Sequence, residues 1–569
     1  MILHFIYFFT YKILIIFPLI IIIITSCTNI DTDKSTKHTN LNIISNKESI
    51  SISPVLAATP TLDTNRQKGD SNIKVPRYGG TLNLVSNNPA KNLDPHNNSD
   101  IGFSSWGAGI IYQRLMKFES GSTLIEPSLN VECDLCEDWE MISPTEFQFN
   151  IKTDRNWNSN NIAYNVPLTA NDIKFSLERI MHQSMESTPL KIIKNINLNS
   201  MNSLTIELDH PNSDFLLELA SVKNKIISNK IILNDSVIEK TNSIGSNSWS
   251  LKTYLPDTKV TVENIKSTLH PPYLDQIDFN IIPDHKTRLS AFKVGLTDVY
   301  EINNLQNNES SQGTMVAPKL MVKEPGNGLE ITFNTTRSPY DDLPTRLAIM
   351  AAINPKYISD KIWDSQSFFS LGFPVVTNEW LPKYSLWQDY FNQPKIVSDY
   401  HQKRFKDTSF KIQITTSNYG ALHNSTLNEL IRQLNENEFE TETIVLSHKE
   451  YMQKVWENND YDVSFGPIFP VHTPNSYMVP ILHSKGDLNT TKHVNINLDK
   501  LIESQSYEYE NIKRTELIQN INKMILDNGY RFMITTNISS WTWQNKIENI
   551  WPNFYSHEYS HWDKVWIND

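Results

Sequence analysis

The stretch from Thr145 to Ile180 constrains this chain most, because its hydrophobic period changes once and a sharp helix start marks the change. Phe147, Phe149 and Ile151 alternate with polar residues, the period of a strand with one buried face. A polar connection carrying a single Trp157 follows, and then Ile173, Leu177, Ile180 and Met181 recur at helical spacing. Thr169 can cap that helix, Asp172 three residues on completes a capping box, and Leu168 can staple against Ile173. A strand, a loop and an abruptly started helix within about forty residues are the units of an α/β fold.

The alternation continues along the chain, without an internal repeat. Thr81 to Val85, Leu204 to Leu208, Leu329 to Asn334 and Lys411 to Thr415 read as strands. Helices are expected from Asp214, before a stop at Gly295, after Asn354-Pro355, and through Leu427, Leu430, Ile431 and Leu434. Ser447 to Glu450 is a further capping box, and Leu498 to Leu526 reads as helical. An aromatic tail with Trp541, Trp543, Trp551, Trp562 and Trp566 ends the sequence.

A length of 569 residues predicts two or three domains, and 39% apolar residues with 13 Trp, 22 Tyr and 24 Phe are ample for their cores. A formal charge of −12, with no basic stripe, argues against a nucleic-acid partner. Ile13 to Ile24 is an uncharged run of 12 residues after Lys12, the length of a signal-peptide core and short of the ~20 residues a spanning helix needs. Counting Met1 to Tyr11 as well makes a retained anchor the alternative, although Lys12 and Pro18 interrupt it. Residues 1–26 are thus expected as a signal peptide, and 27–76, polar and without periodicity, as a disordered tether. Cys133 and Cys136 form a CxxC in what reads as a loop. A zinc site would need two more ligands, so a disulfide or a free pair is expected.

The order TEFQFNIK, Arg155 to Trp157, then PLTANDIKFSLERI resembles the signature of the bacterial extracytoplasmic solute-binding proteins of family 5, the peptide, oligopeptide and nickel class of ABC transporters. Other anchors follow in the family's order. They are Tyr78-Gly79-Gly80 with Leu93-Asp94-Pro95-His96, Ile111 to Phe118 as a helix, Pro127-Ser128-Leu129 with Trp139, Ile244 to Trp249, Pro271 to Asp298, and Pro339 to Ile353. Ser248 stands where the family has proline, which weakens one of them. Ile24-Thr25-Ser26-Cys27 is similar to a lipobox, which implies lipidation of Cys27.

The resemblance covers Arg77 to Asp569 and implies an α/β, periplasmic-binding-protein-like fold of the class II, cluster C type: two lobes around a cleft, plus an inserted extra domain. By that analogy lobe one combines 77–110, 240–322 and 529–569, the insert is 111–239, and lobe two is 323–528. The implied function is a lipid-anchored carrier in the periplasm or on the outer face of the cytoplasmic membrane. It would close on a peptide-like or other small organic solute and deliver it to a permease served by an ATPase subunit. A monomer without cofactor or catalytic residues is expected.

The informative departure is Gly466 to Pro474, GPIFPVHTP, where peptide-binding members carry an aspartate that holds the ligand's α-ammonium. Here that position is Pro470, which lacks even a backbone N–H. Either another acid substitutes, or the ligand presents no ammonium there, the reading we favour. Ser86, Asn87, Trp106, Asn334, Tyr419, Phe469, Pro470, His472, Tyr477, Trp541 and Trp543 are the expected cleft residues, the aromatics because they supply apolar area at little entropic cost. His472 has no partner at ligand spacing, and no metal is expected.

Two rivals remain. His557-Glu558-Tyr559-Ser560-His561 matches the zinc-peptidase H-E-x-x-H, which requires both histidines on one helix face; here proline and clustered aromatics flank it. An adhesive or chaperone-like lipoprotein would bind no small molecule. No Gly-x-Ser-x-Gly elbow or Gly-rich phosphate loop is present.

Overall fold

The computed structural model describes residues 74–88, 92–97, 101–158, 166–183, 189–229, 244–266, 271–302, 316–368, 370–374, 377–404, 410–468, 473–553 and 556–568. The chain divides into Met1–Leu62 and Asp63–Asp569, and every described residue belongs to the second unit. Cys27, the apolar run before it, most of the expected tether, and Phe469, Pro470 and His472 lie outside the described residues.

The described fold opens on strand β1 (Thr81–Ser86), where Leu82 and Leu84 point into the core. Next, β2 (Cys136–Ser143), β3 (Glu146–Ile151), helix α1 (Ala170–Gln183), β4 (Ile193–Ser200) and β5 (Ser203–Leu208) build an antiparallel sheet in the order β2-β3-β5-β4. The alternation of β3 buries Phe147, Phe149 and Ile151, and Ile173, Leu177 and Ile180 of α1 pack into the same core. At the helix start the Thr169 amide and hydroxyl both donate to Asp172 at 3.0 Å. The other Asp172 oxygen accepts the Asn229 amide at 3.2 Å, so this cap also anchors the exit from the insert.

The chain returns with β6 (Trp249–Leu255), β7 (Lys259–Asn264) and β8 (Gln276–Ile281), giving a sheet ordered β1-β8-β7-β6 in which β1 and β8 are parallel. Helix α2 (His285–Lys293) is capped by Asp284, which accepts the Thr287 amide at 2.8 Å, and Gly295 at φ +76° turns the chain towards β9 (Val299–Ile302).

The remainder comprises β10 (Leu320–Phe333), α3 (Leu343–Ala351), α4 (Pro355–Ile362), β11 (Lys411–Ser417), α5 (Ala421–Glu436), β12 (Glu440–Leu446), β13 (Val463–Pro467), α6 (Ile496–Ser506), α7 (Asn511–Asp527) and β14 (Arg531–Trp543). Their sheet runs β9-β14-β10-β13-β11-β12, with Ser367–Phe368 also pairing β14. The expected caps are made: Asn354 accepts the Tyr357 amide at 2.9 Å, and Ser447 and Glu450 form a reciprocal box.

Strands β10 and β14 carry the architecture. At one end Leu320, Val322, Trp541 and Trp543 belong to the core of the β1 sheet. At the other, Leu329, Ile331, Phe333, Phe532 and Ile534 belong to a second core with α3, α4 and α5. Between them the register shifts from Glu324 to Gly328, and a Cβ on Gly328 would lie 2.1 Å from Thr535 O, so the crossing needs a residue without a side chain. A third core joins the β2–β5 sheet and α1 to α6, α7 and Tyr477.

Two expected elements differ. Ile111 to Phe118 is not a helix: a 3-10 turn at Ala108–Ile111 gives way to a strand at Met116–Phe118. Its carbonyls are taken by distant segments, Ile111 O by the Asn247 amide at 3.1 Å and Gln113 O by the Ile226 amide at 2.8 Å, which holds it open. Gly245 approaches so closely that a Cβ there would meet Ile111 O at 2.2 Å. Likewise Leu498 to Leu526 is two helices, because Ser213 donates its amide and its hydroxyl to Ser506 O, at 2.9 and 3.0 Å, where α6 ends. The Cys133–Cys136 pair, read as part of a loop, closes a disulfide between the strand Val131–Cys133 and β2.

Candidate functional site

The expected residues fall into separate groups. From the first core, the Trp106 indole donates to Val85 O at 2.7 Å, which fixes it beside Ser86 at the end of β1. Its ring lies 5.8 Å from Trp541, 4.9 Å from Tyr559 and 5.1 Å from Trp562. Trp543, two residues along β14, meets Trp551 at 6.0 Å and carries the Lys319 ammonium 5.5 Å from its ring. Asn87 is exposed beyond the strand. Burial pushes the Tyr559 hydroxyl well up, and the carboxylates of Glu301, Glu126 and Glu324 add to the effect. Aromatic faces suit an apolar or cationic group.

From the second core, Tyr419 lies where β11 gives way to α5, its hydroxyl 3.2 Å from His448 Nδ1 and its ring 5.2 Å from His423 and 6.1 Å from Tyr451. Burial raises the Tyr419 hydroxyl and lowers His423, favouring the neutral form of each. Gly466 backs onto this cluster, since a Cβ there would stand 2.7 Å from the Tyr451 hydroxyl. The group therefore borders β13 at Gly466.

Two expected residues do other work. Tyr477 is fully buried, donating to Glu330 at 3.4 Å and accepting from Arg531 Nη1 at 2.8 Å. Asn334 holds a turn: its amide donates to Asn459 O at 2.9 Å and its oxygen accepts the Thr336 amide and hydroxyl. It follows Phe333, which pairs Val463, whereas the loop leaves from Pro467 opposite Leu329. Five residues of strand separate the two, roughly 16 Å.

The H-E-x-x-H stretch has no helix. His557 takes φ +55°, Asn553 and Glu558 form a bridge, and a 3-10 turn begins only at Ser560. The Glu558 carboxylate pairs with Arg114 and accepts the Phe118 amide at 3.2 Å, while His561 Nε2 lies 2.6 Å from Asn549 O. The zinc geometry is not formed, and Glu558 instead ties the C-terminal tail to the insert.

A polar cavity of about 210 Å³ is lined among others by Arg114, Lys117, Asp134, Lys225, Glu558 and Asp563. Burial first, then Arg114, draws the Lys225 ammonium down to about 7. None of the expected cleft residues lines it.

In the sequence Trp562 reads only as part of the aromatic tail and Tyr559 only as part of the H-E-x-x-H stretch, whereas His423, His448 and Tyr451 carry no signal until the fold assembles them. Among known proteins, heme-binding protein A of Haemophilus influenzae is 23% identical over 277 residues, covering 44% of this chain and 49% of that protein, about half its length. A probable di/tripeptide-binding protein 5 of Pseudomonas aeruginosa is 23% identical over 493 residues, covering 79% of this chain and 89% of its own. The solved structure of HbpA2 from Haemophilus parasuis superposes with a TM-score of 0.73 at 18% identity, over 86% of this chain and 100% of that one. The model of the bacterial extracellular solute-binding proteins, family 5 Middle, matches residues 130–489, from the insert through the loop after Gly466. That match spans more than half of the sequence, and the chain belongs to the family 5 bacterial extracellular solute-binding proteins.

Proposed function

We propose that this protein is the substrate-binding component of an ABC importer and captures a peptide-like or other small organic solute by closing two lobes about β10 and β14. The observation that carries the reading is the pair of strands shared by two cores, with the Trp106–Trp541 group at one end and the Tyr419–Gly466 group at the other. Closure converts binding free energy into a shift of an open–closed equilibrium, which a permease can sense. Cys27 is the proposed lipid attachment, holding the carrier at the outer face of the membrane.

Pro470 argues that the ligand does not present a free α-ammonium at that position. A second reading, in which other acids hold an ammonium, is favoured by Glu301, Glu126 and Glu324 around Tyr559. The relatives differ in the same respect, one being named for heme and the other for di- and tripeptides.

Mass spectrometry of the solute released from the purified protein tests the proposal. That solute, added back at one hundred times its dissociation constant, should stabilise the protein by about 2.7 kcal/mol. A peptide gripped by its amino terminus at Pro470 would overturn the departure argument. No thermal shift with any released solute or peptide would favour the adhesive lipoprotein. Zinc-dependent hydrolysis abolished by His561→Ala would favour the peptidase.

A further inference from the structure

The acids on the wall of the polar cavity are largely engaged by neighbours. Asp134 accepts Gln113 Nε2 at 2.9 Å on one oxygen and the Arg114 amide at 2.8 Å on the other. Glu558 holds Arg114 and the Phe118 amide, and Asp154 lies 3.5 Å from Arg155. Burial pushes the Asp563 carboxyl up, against the pull of Lys117 and Lys564. The donors on the same wall are less well served. Lys225 is 4% exposed, and its ammonium donates to Tyr112 O at 3.4 Å, far less than an ammonium can give. Arg114 Nε and the Ser104 hydroxyl are buried with no protein partner among the described residues, and Gln113 Oε1 is an acceptor in the same position. Buried polar groups left this way are costly unless something polar sits beside them.

We propose that this cavity is a binding site for a small oxyanion, a sulfate, phosphate or carboxylate group, held by Lys225 from the buried side and by Arg155 at the more exposed rim. An oxyanion offers several lone pairs at once, which matches spare donors converging from an ammonium, a guanidinium and a hydroxyl. A volume of about 210 Å³ far exceeds the roughly 10–15 Å³ that one water needs, and falls short of the roughly 300–1,000 Å³ of sites for drug-sized molecules. That is room for a small ion with water, and the water can donate to Gln113 Oε1. The walls come from the Ser104–Arg114 segment, from the insert through Arg155 and Lys225, and from the C-terminal tail through Glu558 and Asp563. A bound anion would therefore join three distant stretches of the chain.

Equilibrium dialysis of the full chain against radiolabelled sulfate, with chloride holding the ionic strength constant, tests the proposal at pH 6, below the value of about 7 that Lys225 takes. Sulfate should bind saturably, one per chain, with half-saturation below about 10 mM. Lys225→Met should weaken binding about tenfold or more, the loss of a charge-assisted hydrogen bond, and Arg155→Gln about threefold. The charged groups facing the Lys225 ammonium are Arg114, Glu558 and Asp134. As that ammonium loses its proton, wild-type affinity should fall about tenfold from pH 6 to pH 8, and Lys225→Met should lose most of this dependence, which a merely structural lysine would not produce. Absence of saturable binding overturns the proposal, and so does binding that Lys225→Met leaves unchanged. If Lys225→Met fails to fold, Arg155→Gln and the wild-type pH profile decide, and no change in either overturns it. Sulfate is measured without any transported solute, so this result stands or falls separately from the carrier reading.

Discussion

The two ends of the β10–β14 pair are built from different materials. At the first-core end the ring of Trp541 meets Trp106, which also meets Tyr559 and Trp562, and the ring of Trp543 meets Trp551. At the other end Glu330 pairs with Arg531 at 3.4 Å, and Arg531 and Tyr461 both donate to Thr490, at 3.0 and 2.9 Å. Aromatic packing tolerates small displacements because its energy varies slowly with geometry. A buried, hydrogen-bonded charge does not, because each lost partner leaves a desolvated group. One end of the strand pair can accommodate small displacements while the other keeps the strands in register.

The sharpest way to break this comparison is Arg531→Met. It leaves Glu330 buried without its cation and should cost about 3–5 kcal/mol in chemical denaturation; loss of less than about 1 kcal/mol would mean the network is not rigid. Gly328→Ala, between the two ends, forces a Cβ against Thr535 O and should cost about 1–3 kcal/mol, with a larger loss of solute affinity than of melting temperature. A third buried carboxyl gives a pH signature. Burial, then Asp214, pushes Glu218 up to about 8, against the pull of Asn212 and Arg514. Its folded value lies above its unfolded one, so the stability it confers is complete below about pH 4.5 and is lost as pH rises towards 8. The slope should approach 1.4 kcal/mol per pH unit at most, flatten above pH 8, and vanish in Glu218→Gln; an unchanged slope in that variant would assign it elsewhere. Trp106→Phe should be mildest for stability, about 1 kcal/mol, yet should diminish the solute-dependent change in tryptophan fluorescence. If it destabilises as much as Arg531→Met, the two ends are not different in kind.

Much of the framework was legible because local pattern and tertiary role coincide there. The alternation of Phe147, Phe149 and Ile151, the Thr169–Asp172 cap and the stop at Gly295 mean the same thing in a peptide and in the fold. Ile111 to Phe118 failed for the opposite reason. Its apolar residues fit helical spacing, but Asn247 and Ile226 claim its carbonyls from more than one hundred residues away. The same holds for the site. Trp106 and Trp541 could be nominated as aromatics in plausible places, whereas Tyr477 and Asn334, equally plausible, are bound into the buried framework. Asp214 and Arg514 are 300 residues apart, and nothing local marks either as a partner of the other. Glu330 looked like one more polar residue in a strand until its cation, two hundred residues on, stood opposite.

The parallel pairing of β1 with β8 also has a consequence in time. Thr81 waits for Gln276, and the core they share is complete only when Trp541 and Trp543 arrive from β14. At ~5–20 residues per second, the first strand made spends roughly 10–40 s without its nearest neighbour, and longer without its last. The β2–β5 sheet needs no such delay, because its strands follow one another closely. The β2–β5 strands can therefore pair early, whereas the core around β1 closes only when β14 has been made.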